Sequence, residues 1–252
     1  MARGAYLLEL GLVPYRQAWE LQRSLAGAVS QGAIPDTVIL LEHQPVITLG
    51  RRAEEGELHV PEGAEVEIVE TDRGGKSTYH GPGQLVCYPI FDLRRHGQDV
   101  KRYCRDLEEA LIRTLSPLGL EATRIEGLTG IWVTAAPGLA RPGPAGAGAA
   151  GPPRKIASIG IHISKWITTH GYALNVDLDP APFTDWITAC GLEDASFTTI
   201  ARELGEPVAV DAVRPYAAAA LEDVFAIELE PLPADGHGLW PQPLHERLAG
   251  RT

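Results

Sequence analysis

Cysteine is scarce in this chain: Cys87, Cys104 and Cys190 are all there is in 252 residues. An odd number without paired spacing gives neither a disulfide framework nor a zinc knuckle, and it leaves room for one reactive thiol. Long apolar runs are absent too. None reaches the length that crosses a bilayer, and Glu9 interrupts the N-terminus before a signal-peptide core develops. The expectation is a cytoplasmic protein without membrane association. Positive charge is in deficit, with 22 Lys and Arg against 33 Asp and Glu and a net charge of −11. That balance disfavours nonspecific nucleic-acid binding, which needs a positive field. Nor is there a Gly-x-Ser-x-Gly elbow, a Walker loop or a His-Glu-x-x-His pair. What remains is an ordinary globular composition, 44% hydrophobic and 22% charged, sized for one large domain or a domain with a small appendix.

Against these absences one segment stands out. Arg73, Gly74, Gly75, Lys76, Ser77, Thr78, Tyr79, His80, Gly81, Pro82, Gly83 and Gln84 place glycines, bases, hydroxyls and an imidazole together, and an apolar run from Leu85 to Phe91 follows. Glycine lets the backbone approach a ligand closely and take positive φ, and Pro82 stiffens the turn. A tight turn before a core strand would use the glycines alone. The added Arg73, Lys76 and His80 point to a ligand site. Arg51, Arg52, Arg73 and Lys76 form a local basic patch if their loops converge.

Apolar periodicity after Pro14 predicts a helix through Tyr15, Ala18, Trp19, Leu25, Ala26 and Val29, ended by Gly32 and Pro35. Strands are predicted at Thr37–Glu42, Val46–Leu49, Val66–Val69, Leu85–Ile90, Ile131–Val133, Ile156–Ile163 and His170–Val176. Asp99 caps a helix to about Leu115, whose apolar face is Val100, Tyr103, Cys104, Leu107, Leu111 and Leu115. Thr198–Leu204 and Val213–Phe225 read as late helices. Strands and helices interleave without a regular βα repeat, which indicates an α+β, or mixed α/β, class. One domain is expected over residues 1–230. It carries a Gly/Pro/Ala-rich insertion at 135–153, expected to be a mobile loop, and residues 231–252 form a Pro/Gly-containing tail.

Candidates for chemistry follow from position. Cys87 lies in an apolar strand and Cys104 on a helical stripe, so both read as packing groups. Cys190 falls outside any stripe, next to Gly191, where a sharp turn would expose its sulfur. A thiol needs a nearby cation to ionise at neutral pH. Lys155, directly before the strand Ile156–Ile161, is the candidate, and Ser158, Ile159 and Gly160 follow it closely; a strand glycine often marks close approach of a ligand. His170, Gly171, Tyr172 and Ala173 open another such segment. His80 and His170 are taken as lining a site, and His43 is open between a structural and a chemical role.

Taken in order, the run Arg73–Gln84, the segment Lys155–Gly160, the segment His170–Asn175 and Ala189-Cys190-Gly191 resemble the lipoyl(octanoyl) transferase family, within the biotin/lipoate ligase-like superfamily. Glu42 to Val46, with Gly50 and Arg51, is similar to that family's early histidine segment, and the likeness runs from about Leu10 to Phe225. The resemblance implies a biotin/lipoate protein ligase-like fold, a mixed sheet flanked by helices. It implies transfer of an octanoyl group from acyl carrier protein to a lysine of lipoyl domains, in 2-oxoacid dehydrogenase E2 subunits and the glycine cleavage H protein, without a cofactor. It implies that Cys190 carries the acyl thioester and that Lys155 lowers its pKa. Substrate then lies along Arg73 to His80, Ser158 to Gly160 and Gly171 to Ala173. Ala189 stands where the family pattern has proline, and the insertion before Lys155 is unusually long. Two rivals are an ATP-dependent lipoate or biotin ligase on the same fold, which has no need of Cys190, and a noncatalytic acyl-carrier-binding module.

Overall fold

The computed structural model describes residues 2–134, 152–188 and 196–233. Its first strand, β1 (Arg3–Val13), was not expected from sequence, and it runs parallel both to β2 (Thr37–His43) and to the late strand β12 (Ile227–Pro231). Leu12 and Glu9 flank a register shift, so the strand bends where Gly11 interrupts its pattern. Pro231 still pairs with Leu7, and the Leu232 N–H donates to Leu7 O at 2.9 Å, so the tail begins as part of the sheet edge. The rest of the tail, residues 234–252, and residues 135–151 of the insertion lie outside the described residues.

Among the described residues the main sheet has nine strands. Seven further strands complete it or flank it: β3 (Val46–Leu49), β4 (Glu67–Glu70), β5 (Thr78–His80), β6 (Gln84–Ile90), β7 (Ala122–Thr123), β8 (Ile131–Val133) and β9 (Arg154–Ser164). With β10 (Ile167–Asn175) and β11 (Ser196–Phe197), the order is β12-β1-β2-β6-β10-β9-β8-β7, and β11 pairs with β9. From β2 to β7 every neighbour along that path is antiparallel. A small second sheet, β4-β3-β5, stands beside the main one and carries the glycine-rich segment.

Helix α1 (Tyr15–Gln31) covers one face of the main sheet. Its Ala18, Leu21, Leu25 and Val29 recur every three or four residues and are fully buried against Ile39, Leu41, Val86 and Tyr88. Truncating Leu21 or Leu25 to alanine would cost about 2–5 kcal/mol. Gly32, at φ 71, ends the helix in the left-handed conformation. The opposite face holds α2 (Val100–Leu115) and α5 (Val210–Phe225). Asp99 caps α2 by accepting from the Lys101 and Arg102 N–H groups. Tyr103, Leu107, Leu111 and Leu115 are buried as expected, but Val100 is exposed. Side chains lean toward a helix's N-terminus, so the first residue of the stripe points past the sheet it would pack on. Two short α-helices, α3 (Pro182–Asp185) and α4 (Ile200–Leu204), also lie among the described residues; α4 starts later than expected because Thr199 is its cap, accepting from the Arg202 N–H.

Candidate active site

The face of the main sheet under α1 opens into a cleft. Three sources wall it: Tyr15 at the start of α1, the turn from Arg73 to His80, and the middle of β6, β10 and β9. The geometry of the glycines explains how the turn reaches the sheet. A Cβ on Gly160 would lie 3.0 Å from Gly74 O, and one on Gly50 would lie 2.4 Å from Gly75 O. These positions let the turn lie flat on β9, where the Gly74 N–H donates to Ile161 O at 2.8 Å. Arg51 and Arg52 close the turn from outside, donating their N–H groups to Arg73 O and Gly75 O.

Polar groups of the turn are held in defined places. Arg73 is buried and donates to Thr48 Oγ1 at 3.0 Å and to Thr48 O at 2.6 Å. Ser77 donates to Glu57 Oε2 at 2.6 Å, and Lys76 Nζ lies 2.9 Å from Glu57 and 3.1 Å from Glu54. Burial pushes the Glu57 carboxyl up, but the hydrogen bonds from Ser77 and Lys76 outweigh it and hold that group below its usual range. Lys76 is therefore matched by two carboxylates and adds little to a basic rim, which leaves Arg51 and Arg52 as its exposed members.

Lys155 is inside β9, not ahead of it, and is buried at 4% exposure. Its neighbour Trp132 on β8 is its cross-strand partner, and its Nζ lies 5.5 Å from the centre of the indole ring. Gly130, at φ 114, makes room for the stem: a Cβ there would lie 2.8 Å from Lys155 Cε. The buried histidines form an aromatic floor. His43 donates from Nδ1 to Val13 O at 2.9 Å and accepts the Tyr88 hydroxyl at Nε2, 2.7 Å away. Full burial pulls its pKa down to about 4. His170 takes a left-handed φ of 57 within β10, its N–H bound to Gln22 Oε1 at 2.7 Å. That conformation turns its Nε2 to Asp72 Oδ1 at 2.7 Å, and the bond holds the Asp72 carboxyl below its usual range while burial lowers the imidazole. Gly171 follows because a Cβ would lie 2.1 Å from Cys87 O.

Of the residues singled out from sequence, Arg73, Gly75, Lys76, Ser77, Thr78, His80, Lys155, Ser158, Ile159, Gly160, Gly171, Tyr172 and Ala173 line this one cleft. Gly74 is spent on its bond to β9, and Tyr79 turns away to pack on Phe183 and Trp186. Cys190 lies outside the described residues. Cys87 is fully buried with its thiol pushed up to about 12 by desolvation, and Cys104 is raised by the same cause, so neither is a ready nucleophile. Tyr15, Val86, Tyr88 and His170 join the lining as well. His170 was expected there; the other three were not.

Residues 14–222 match the family of the lipoyl protein ligase A/B catalytic domain. The chain belongs to that family. Among its curated relatives, an octanoyltransferase of Roseiflexus sp. is 46% identical over 241 residues, 93% of this chain and 92% of the relative. An octanoyltransferase of Mycobacterium tuberculosis is 49% identical over 214 residues, 84% of each. The fold is also that of solved lipoate ligases. The bipartite lipoate protein ligase of Thermoplasma acidophilum superimposes with a TM-score of 0.69 at 16% identity, covering 97% of this chain and 93% of that one. A lipoate-protein ligase A bound with ATP gives 0.69 at 16% identity, covering 98% and 95%. In this lipoyl protein ligase A/B family member the shared fold accounts for the mixed sheet with helices on its faces.

Proposed function

We propose that this chain is an octanoyltransferase of protein lipoylation, moving an octanoyl group from acyl carrier protein to a lysine of a lipoyl domain through a thioester on Cys190. The observation that carries the reading is the convergence of Lys155 and the glycine-rich turn on one cleft, in a chain nearly half identical to curated octanoyltransferases over most of its length. A lysine ammonium near Cys190 favours the thiolate. The thiolate attacks the carrier thioester, the new C–S bond forms on Cys190, and the carrier sulfur leaves with its electron pair and takes the Lys155 proton. In the second half the neutral amine of the acceptor lysine forms the C–N bond. The C–S bond breaks onto the Cys190 sulfur, and the surplus amine proton passes to the neutral Lys155. The ion pair is restored, and no adenylation is needed because a thioester is already activated.

The acyl chain lies along Val86, Tyr88, Ala173 and Tyr15. Acceptors of this reading are lipoyl domains of 2-oxoacid dehydrogenase E2 subunits and the glycine cleavage H protein, in the cytoplasm. The same fold serves ATP-dependent ligases, so ATP is the discriminating reagent. Octanoyl-carrier protein and a lipoyl domain incubated without ATP should give octanoylated lipoyl domain. A product formed only when octanoate and ATP are supplied would assign the chain to the ligase reaction instead.

A further inference from the structure

A chain of buried amides runs from the glycine-rich turn to the strand of Lys155, and it fixes the proton on His80. Its orientation can be read from one end. Thr198 O is a backbone carbonyl and can only accept, so the group 3.0 Å away must be Asn175 Nδ2. Asn175 Oδ1 then faces Gln84 and accepts Gln84 Nε2 at 3.0 Å. A second carbonyl, Tyr79 O, sits 3.4 Å from the same nitrogen and agrees. Gln84 Oε1 is left toward His80, 2.7 Å from Nδ1, and an amide oxygen requires a donor there. His80 therefore carries a proton on Nδ1, and in the neutral ring Nε2 keeps its lone pair. Gln84, Asn175 and Thr198 are each at most 3% exposed, so water does not compete for these bonds. The far end is anchored as firmly: the Thr198 N–H donates to Lys155 O at 3.0 Å, and its hydroxyl to Glu203, which grips Arg154 with both oxygens.

His80 lines the cleft, and among the described residues no protein group is bonded to Nε2. The groups around the ring are Tyr15, stacked on it at 6.2 Å, His43 edge-on at 5.7 Å, and Arg73 and His170. Burial, then His43, keep the imidazole well below its ordinary pKa against the opposing hydrogen bond to Gln84, and Arg73 and His170 lower it further. Such a ring is a poor proton sink but a dependable hydrogen-bond acceptor. Of the reacting groups in the proposed transfer, the octanoyl chain is apolar and the thioester oxygen is itself an acceptor. Among the groups that the substrates bring, only the attacking amine carries N–H donors, and its lone pair must be turned onto the carbonyl carbon.

We propose that His80 Nε2 accepts an N–H of the incoming lysine amine and aims its lone pair at the acyl thioester. This rests on the octanoyltransferase reading and adds a residue for its second half. The bond is kept through the attack and His80 takes no net proton; that proton goes to Lys155 as described above. His80 thereby touches substrate, while Gln84 and Asn175 are positioning residues that act through its tautomer.

Two measurements test it. Long-range ¹H–¹⁵N correlation of histidine-labelled protein at neutral pH should show His80 protonated on Nδ1 alone, and Gln84→Met should move signal toward the Nε2–H form. A wild-type spectrum with the proton on Nε2 would overturn the proposal. For the chemistry, the enzyme is acylated with octanoyl-carrier protein and then mixed with lipoyl domain in a single turnover. His80→Asn keeps an N–H for Gln84 but offers no acceptor at the Nε2 position. It should slow aminolysis roughly tenfold or more, the loss of about one hydrogen bond to the reacting group, while acylation changes little. His80→Gln, whose longer amide reaches toward the Nε2 position, should recover part of the rate. Equal slowing of both halves by His80→Asn would mean a structural role and would overturn the proposal. Absence of any acyl adduct on wild-type enzyme would instead remove the thioester reading, and the imidazole spectrum still decides the tautomer.

Discussion

Replacing Ala173 by valine should shorten the acyl chain this cleft prefers. Ala173 sits on β10 opposite Val86 of β6 on one side and Ser158 of β9 on the other, and all three line the cleft. Valine suits a strand and adds two carbons to that wall. An octanoyl chain lying along it gives up burial of about two methylenes, which at about 0.8 kcal/mol each is about 1.6 kcal/mol, or roughly 14-fold. With Ala173 beside the last two carbons of an octanoyl chain, a hexanoyl chain ends before the filled space and gives up little. The assay is kcat/KM for carrier-bound butanoyl, hexanoyl, octanoyl and decanoyl thioesters, with Tm as a control because overpacking a buried site costs about 1–3 kcal/mol by itself. The octanoyl-to-hexanoyl ratio should fall by about an order of magnitude. If all four thioesters slow in proportion, or none does, the chain does not run along Ala173 and the groove assignment is wrong.

Acid should destabilise the fold before its carboxylates titrate. His43 in the unfolded chain binds a proton below about pH 6.5, whereas the native imidazole resists until about pH 4. Unfolding therefore takes up a proton in that window, and stability falls as pH falls through it, by about 3 kcal/mol in full. His80 and His170 act in the same direction. Calorimetry between pH 7 and 4.5 should show Tm dropping with proton uptake, and His43→Gln should flatten the slope; a Tm that rises on acidification would refute this. Gly130→Ala places a Cβ 2.4 Å from Ala157 O at a φ of 114, so it should destabilise by about 2 kcal/mol or more and displace Lys155, read as a changed pH profile of thiol alkylation. Donor capture should weaken with salt. Arg51→Ala with Arg52→Ala should raise the carrier-protein KM at low ionic strength and converge on wild type above physiological salt, where exposed charges are screened within about 8 Å. A salt-independent KM in the wild type would dismiss the basic rim.

What sequence made legible was local and dense. The turn from Arg73 to His80 announces itself because glycines, charges and an imidazole share a few residues, and Lys155 and His170 each sit beside such a cluster. What it hid depends on partners far apart in the chain. Strand β1 was missed because Gly4, Glu9 and Gly11 blur its alternation, and its partner β12 lies at the other end of the chain. Tyr15 reads as the first residue of a helical stripe and Val86 as one member of an apolar run. Nothing in either pattern says that the α1 face of the sheet is the one left open. Lys76 looked like a free cation until folding brought Glu54 and Glu57 to it. The Gln84–Asn175 bond joins residues 91 positions apart and carries no local signature.

The central claim, transfer through Cys190 assisted by Lys155, is tested most directly by intact-mass analysis after mixing the protein with octanoyl-carrier protein in the absence of lipoyl domain. Wild type should gain one octanoyl group, lost on hydroxylamine treatment and mapped to Cys190. Cys190→Ser should gain none, and Lys155→Met should acquire it more slowly. An adduct on Cys87 or Cys104, or turnover by Cys190→Ser at the wild-type rate, would contradict the account.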